Sequence, residues 1–202
     1  MFGATKDRPW FQRHENLSDA LSAWRTNPLA RRIVGLTHDH VWGSGIRPTS
    51  KNGVVKKWLD KFWNHELNNM DERWPVWIDA FTTDGEVFPT FHLNPVDGMV
   101  FVRALAAVQV EGLRWAANDY EQITEVGQRV PGQIELKWWP TLLTAKEGES
   151  FAWQFAVNRV LGATRGDGDL ATILPWLAFY SDWLEARVER NAALTQWFVD
   201  VE

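Results

Sequence analysis

The chain has 202 residues, 45% of them hydrophobic and 23% charged, a globular composition with enough length for one sizeable domain or two small ones. A formal net charge of -5 argues against a free-standing duplex-DNA binder, which needs clustered lysine and arginine on one face. The lack of cysteine excludes disulfides, thiolate catalysis and cysteine-type zinc sites.

The opening "MFGATKDRPWFQRHEN" lacks the apolar segment of a signal peptide, and no run approaches the ~20 apolar residues of a membrane span, so a soluble intracellular chain is expected. Residues 1–16 read as an arm without a period. "NLSDALSAWRTN" offers Asn16 or Ser18 as a cap and sets Leu17, Leu21 and Trp24 at helical spacing. In "NPLARRIVGLTHDHVWGSG", Asn27 caps a helix with Pro28 at its first position. Leu29, Ile33, Leu36 and His40 line one face and Gly43 stops it. A third helix carries Val55, Trp58, Leu59, Phe62 and Trp63. A fourth opens on Asn69 and Glu72, spaced as a capping box, and buries Met70, Trp74, Trp77, Ile78 and Phe81. Pro75 should kink that helix or start it late.

After Asp84-Gly85 the period turns extended. "EVFPTFHLN", the turn "NPVDG" and "MVFVRALAAVQVEGL" read as a hairpin, and "QIELKWWPTLL" and "FAWQFAVNRVLG" as further strands. The pattern is helical again from Asp169. The order gives an α+β fold: N-terminal helices, central antiparallel strands and a long C-terminal helix. Most of the 14 tryptophans fall on inward faces, so core packing is their expected use.

His38 and His40 suggest a metal site completed by His65 or His92, but on a helix side chains two apart point about 200° away from each other. Two polar residues near a helix end are the simpler reading. "GATRGDGD" has a phosphate cradle's glycines but aspartates in place of lysine or serine. Arg165–Asp167 spells an adhesion tripeptide by chance alone. Gly162, Gly166 and Gly168 are expected to carry the chain through unusual dihedrals, with Arg165 in the turn and Asp169 capping the last helix: a strand-to-helix hinge. On that helix Ile173, Leu177, Tyr180, Leu184, Val188 and Phe198 share an apolar face broken by Asn191. Asp182, Glu185 and Glu189 gather opposite, and Arg187 and Arg190 lie on a flank. The bland reading is a solvated face; the sharper one is that these charges answer groups on neighbouring copies.

"NPLARRIVGLTHDHVWGSGI", "WLDKFWNHELNNMDERW", "TTDGEVFPTFHLNPVDG" and "FAVNRVLGATRGDGDLATILPWLAFYSDWLEARVERNAAL" resemble, in that order, the portal proteins of tailed bacteriophages. The resemblance covers about residues 27–118 and 151–202. After the N-terminal arm and short helix (1–26), it implies a wing-like α+β domain (27–168) and a stem-like helix (169–202). It also implies a non-enzymatic structural protein of the virion, assembled in the host cytoplasm, without cofactor, metal or membrane. In this family twelve subunits form a ring at one capsid vertex, through which DNA is packaged and ejected. Its partners are a packaging ATPase, capsid and tail adaptor proteins, with transient non-specific DNA contact. Ile173, Leu177, Tyr180, Leu184 and Val188 would pack the stem. Asp182, Glu185, Arg187, Glu189 and Arg190 would face the channel or an adjacent subunit. The family's clip, returning stem helix, tunnel loop and crown have no counterpart in these residues. The alternatives are a tryptophan-rich carbohydrate-binding module, which requires exposed tryptophans at "KWWP" and "FWNH", and a metal-dependent hydrolase built on the histidines.

Overall fold

Asparagine side chains start two of the helices in the computed structural model, which describes residues 6–197. The Asn27 carboxamide oxygen accepts the N–H groups of Leu29 (2.9 Å) and Ala30 (3.4 Å), and Asn52 accepts those of Val54 (2.9 Å) and Val55 (3.4 Å). Each satisfies donors that the first helical turn leaves without a backbone partner. They open α2 (Pro28–Trp42) and α3 (Gly53–Asn64). Phe198, placed by sequence on the apolar face of the last helix, lies outside the described residues.

The first helix, α1 (Trp10–Thr26), starts well before the expected caps at Asn16 and Ser18. No side chain caps it. Its first turns are held instead by Arg13, which reaches across the molecule, a contact that local spacing does not reveal. In α2 the buried positions are Ala30 and Val34; Leu29 and Leu36 are exposed. Ala20 of α1 and Ala30 are both fully buried, small enough to let the two helices approach closely.

The fourth helix, α4 (Met70–Thr83), buries Met70, Trp77 and Ile78 as expected and continues through Pro75. That proline lies in the second turn, where its missing N–H forfeits one bond, to the Asp71 carbonyl. Asn69 takes a left-handed conformation (φ 40°), so its side chain does not cap the helix. Its amide donates to the Glu72 carboxylate instead.

Two small antiparallel sheets follow, so the fold is α+β. In the first, β1 (Glu86–Leu93) is central, between β2 (Val100–Leu105) and the short β6 (Phe151–Ala152), with β7 (Phe155–Ala156) pairing its start. β1 is buried on both faces. Val87 packs with Trp63, Met70, Trp77 and Val102 on the helix side, and Phe88 with Leu105, Val110, Leu113, Val126 and Ala152 on the other. A 3₁₀ turn (Ala107–Gln109) leads into the second sheet, β3 (Val110–Ala116), β4 (Asp119–Gln128) and β5 (Lys137–Pro140), in that order. β4 is the longest strand, and the sequence pattern does not predict it. Its outer half, starting at Asp119, is exposed and polar, and only near Val126 does it enter the core. The last helix, α5 (Asp169–Trp197), runs without interruption through Pro175.

Gly112 and Gly127 face each other across β3 and β4, and the Trp138 indole lies over both. A Cβ at either would come within 2.9 Å of that ring. The Arg114 guanidinium covers the ring at 3.8 Å from its centroid. Gly127→Ala should therefore displace Trp138 and lower unfolding free energy by about 1–3 kcal/mol, as overpacking does. Urea titration followed by tryptophan fluorescence checks this.

Candidate assembly surface: an anchored, projecting helix

Glu86 opens β1 with a side chain wholly shielded from solvent. Such a carboxylate must be ion-paired and fully hydrogen-bonded to be tolerated. Arg165 Nε donates to both its oxygens, at 2.9 and 3.2 Å, and the same guanidinium donates to the Val110 carbonyl at 3.0 Å. Arg13 of α1 donates to Oε1, the oxygen that Arg165 Nη2 also meets, and to the Gly166 carbonyl at 3.1 Å. The Gln154 amide (2.9 Å) and the Gly166 N–H (3.3 Å) complete the shell. Burial pulls the Arg13 guanidinium below the ordinary arginine value; the Glu86 charge opposes that shift and the Arg165 charge adds to it. One carboxylate thus ties together α1, the start of β3 and the segment entering α5.

Around this pair the backbone of residues 166–168 lies directly on that of residues 83–85. A Cβ on Gly168 would sit 2.1 Å from the Thr83 carbonyl oxygen, one on Gly166 2.1 Å from that of Gly85, and one on Gly85 2.2 Å from the Asp167 carbonyl carbon. The N-terminal segment straps the same loop from outside. Asp7 accepts the N–H groups of Thr164 (2.7 Å) and Arg165 (2.9 Å), and Arg8 pairs with Asp167 at 3.3 Å.

The expected hinge is therefore a clamp. Of Gly162, Gly166 and Gly168 only Gly162 adopts a left-handed conformation (φ 90°); the other two are required by proximity. Arg165 is the anchor of the cluster. Asp169 is the first residue of α5 rather than its cap, and its carboxylate accepts the Asn158 amide at 2.7 Å.

From this clamp α5 packs by Leu170 and Leu177, both buried, and by Ile173 and Leu174, against Ala20, Ala30 and Val34. Every residue from 178 to 195 is exposed; the Asn27 amide still meets the Ser181 hydroxyl at 3.4 Å, and beyond it the helix leaves the body for roughly 20 Å at 1.5 Å per residue. Ile173 and Leu177 pack against α1 and α2 of the same chain. Tyr180, Leu184 and Val188 are 41%, 41% and 67% exposed and join none of the buried clusters of the chain. At about 100° per residue, Trp176, Phe179, Trp183, Arg187, Arg190 and Leu194 form one stripe. The Arg187 guanidinium lies 5.2 Å from the Trp183 ring centroid. Glu185 and Glu189 lie on the far side of the helix from that stripe, and Asp182 about 100° round. None of these five charged residues makes an ion pair among the described residues.

The histidines diverge. His38 Nδ1 meets Asp79 (2.8 Å), His40 Nδ1 the Leu36 carbonyl (2.9 Å), and His92 Thr90 and Ser150; the described residues contain no group of three metal-ligating side chains. Trp63 is buried, and Trp138 and Trp139 lie half-buried beneath Arg114 and Lys137. No helix among the described residues is long and apolar enough to cross a membrane. No protein-family model matches the chain, and no curated protein matches it in sequence.

Two outcomes follow from the clamp. Gly168→Ala or Arg165→Met should cost about 3–5 kcal/mol, the second because it leaves a buried carboxylate short of a partner; urea unfolding of each variant measures this. Burial pushes the Asp84 carboxyl above its ordinary value of 3.8, partly offset by the Thr83 hydroxyl it accepts. The unfolded chain then loses its Asp84 proton at lower pH than the folded one. The resulting penalty is absent below 3.8 and grows as pH rises through the folded pKa. Asp84→Asn should be the more stable form at pH 7, and its melting temperature should converge on that of the native chain in acid.

Proposed function

We propose that this chain is a portal-type structural subunit of a tailed-phage virion, its α+β body acting as the wing and α5 as the first stem helix. The observation that carries the reading is a long helix clamped at its root and exposed on every side beyond it. A solvated helix of that length, bearing Trp176, Phe179 and Trp183 outward, lacks a partner that copies of itself around an axis would supply. A rigid root is what a ring requires, since an error in the helix's angle of departure grows with distance along it. The motif order in the sequence supports the same reading.

In such a ring the stripe of Asp182, Glu185 and Glu189 faces the channel or the neighbouring helix. An acidic wall repels phosphate, so DNA slides along it without sticking. The packaging ATPase, capsid and tail proteins are the partners this reading implies.

Negative-stain imaging together with light scattering at rising protein concentration tests the assembly. Rings with a central hole, of about twelve subunits, are expected; a chain that remains monomeric, or closes as a two-fold dimer, overturns the reading. In assembled rings, replacing Asp182, Glu185 and Glu189 by lysine should convert a channel that releases double-stranded DNA at low salt into one that retains it. Filter binding over a salt series reads that change, and equal retention would remove the acidic wall from the mechanism.

A further inference from the structure

Asn68, between α3 and α4, is completely buried and imitates a strand. Its side-chain oxygen accepts the Val102 N–H at 3.0 Å, and its amide donates to the Val100 carbonyl at 2.9 Å and to the Phe62 carbonyl at 3.0 Å. It thereby covers the first half of the free edge of β2. Backbone polar groups alternate sides along a strand, so Ala104, two residues on, also presents its N–H and C=O to that edge. Pro89, its register partner in β1, has no N–H to offer. Ala104 is exposed, and no loop, cap or side chain among the described residues meets its polar groups.

The open half-edge forms one wall of a cleft of about 600 Å³ whose other wall is α4. Trp77 and Leu105 give it apolar surface, and Val76, 63% exposed, stands at its rim. At one end Arg73 and Arg103 converge on a single carbonyl, that of Leu67, at 3.4 and 2.7 Å. Their other bonds also go to carbonyls, Asn68 for Arg73 and Val102 for Arg103. Neither guanidinium has a carboxylate partner among the described residues. Burial, and secondly the neighbouring Arg103 charge, pull Arg73 below the ordinary arginine value. The cleft's own acids do not supply one: Glu72 accepts the Asn69 amide, Glu86 is held by Arg13 and Arg165, and burial disfavours the charged form of Asp84.

We infer that this cleft is a docking site for an extended acidic peptide segment of a partner protein, which adds to the β2 edge at Ala104 and sets a carboxylate on Arg73 and Arg103. Strand addition supplies main-chain hydrogen bonds, and the pocket beneath reads alternate side chains. A planar guanidinium pair matches a carboxylate better than a point charge would. Apolar residues alternating with the acids would lie against Trp77 and Val76. The inference stands on β2 and α4 alone and does not depend on ring assembly.

The test uses the full chain and a fluorescein-labelled, acetylated octapeptide of alternating valine and glutamate, followed by anisotropy and by backbone hydrogen–deuterium exchange. The expected result is saturable binding with exchange slowed in residues 100–107, weakened about tenfold or more by Arg103→Met, the loss of one charge-assisted contact. Arg73→Lys, which keeps the charge and loses the planar fork, should also weaken it, and circular dichroism checks that each variant is folded. Absence of saturable binding, equal binding of a valine–lysine octapeptide, or affinity unchanged in both variants would overturn the proposal. So would binding that leaves exchange at residues 100–107 unaltered. If inorganic phosphate alone reproduces the slowed exchange, the cleft is a general anion site and the peptide assignment falls.

Discussion

The structure depends on one buried carboxylate. Glu86 begins the strand that is buried on both faces, and its oxygens receive Arg13 from α1, Arg165 and Gly166 from the segment leading into α5, and Gln154 from the loop after β6. A charge in that position is costly unless its shell is complete, so the elements that supply the shell are held to one arrangement. The backbone contacts among Gly85, Gly166 and Gly168 then become possible, and they in turn fix the root of α5. Apolar packing of Leu170 and Leu177 against α1 and α2 sustains the helix for its first two turns only.

The regular parts of this fold were legible because their signals are local. Asn27-Pro28 and Gly43 bracket α2, and the apolar stripe of α4 and the hairpin of β1 and β2 appear where their periods place them. The faces of α2 and the start of α1 were not legible, since both are decided by what lies opposite: a small residue at a close helix contact, and an arginine that binds a carboxylate 73 residues away. β4 carries no clear strand signal because half of it has no core to face.

The site was legible in part. "RGDGD" stood out by its glycines, and a hinge is the natural inference from glycine's conformational freedom. Two of those glycines serve the opposite purpose, removing the Cβ atoms that would keep two backbones apart. Nothing in a one-dimensional pattern separates the two uses; the nearest hint is Glu86 itself, a charge directly before the apolar run "VF". Segregation of charge along α5 could be read at 100° per residue, whereas the exposure of Tyr180, Leu184 and Val188 could not, because periodicity reports that a face is apolar and not which molecule covers it.

The strap between Asp7 and the Thr164–Arg165 turn joins positions 157 residues apart. During synthesis the hairpin of β1 and β2 emerges long before Arg165 does, so Glu86 must wait, hydrated, until most of the chain has been made. The two halves of its shell come from nearly opposite ends of the sequence, and burying β1 early would strand the charge. The clamp is thus a long-range closure: every group that binds the Glu86 carboxylate lies at least 68 residues from it along the chain.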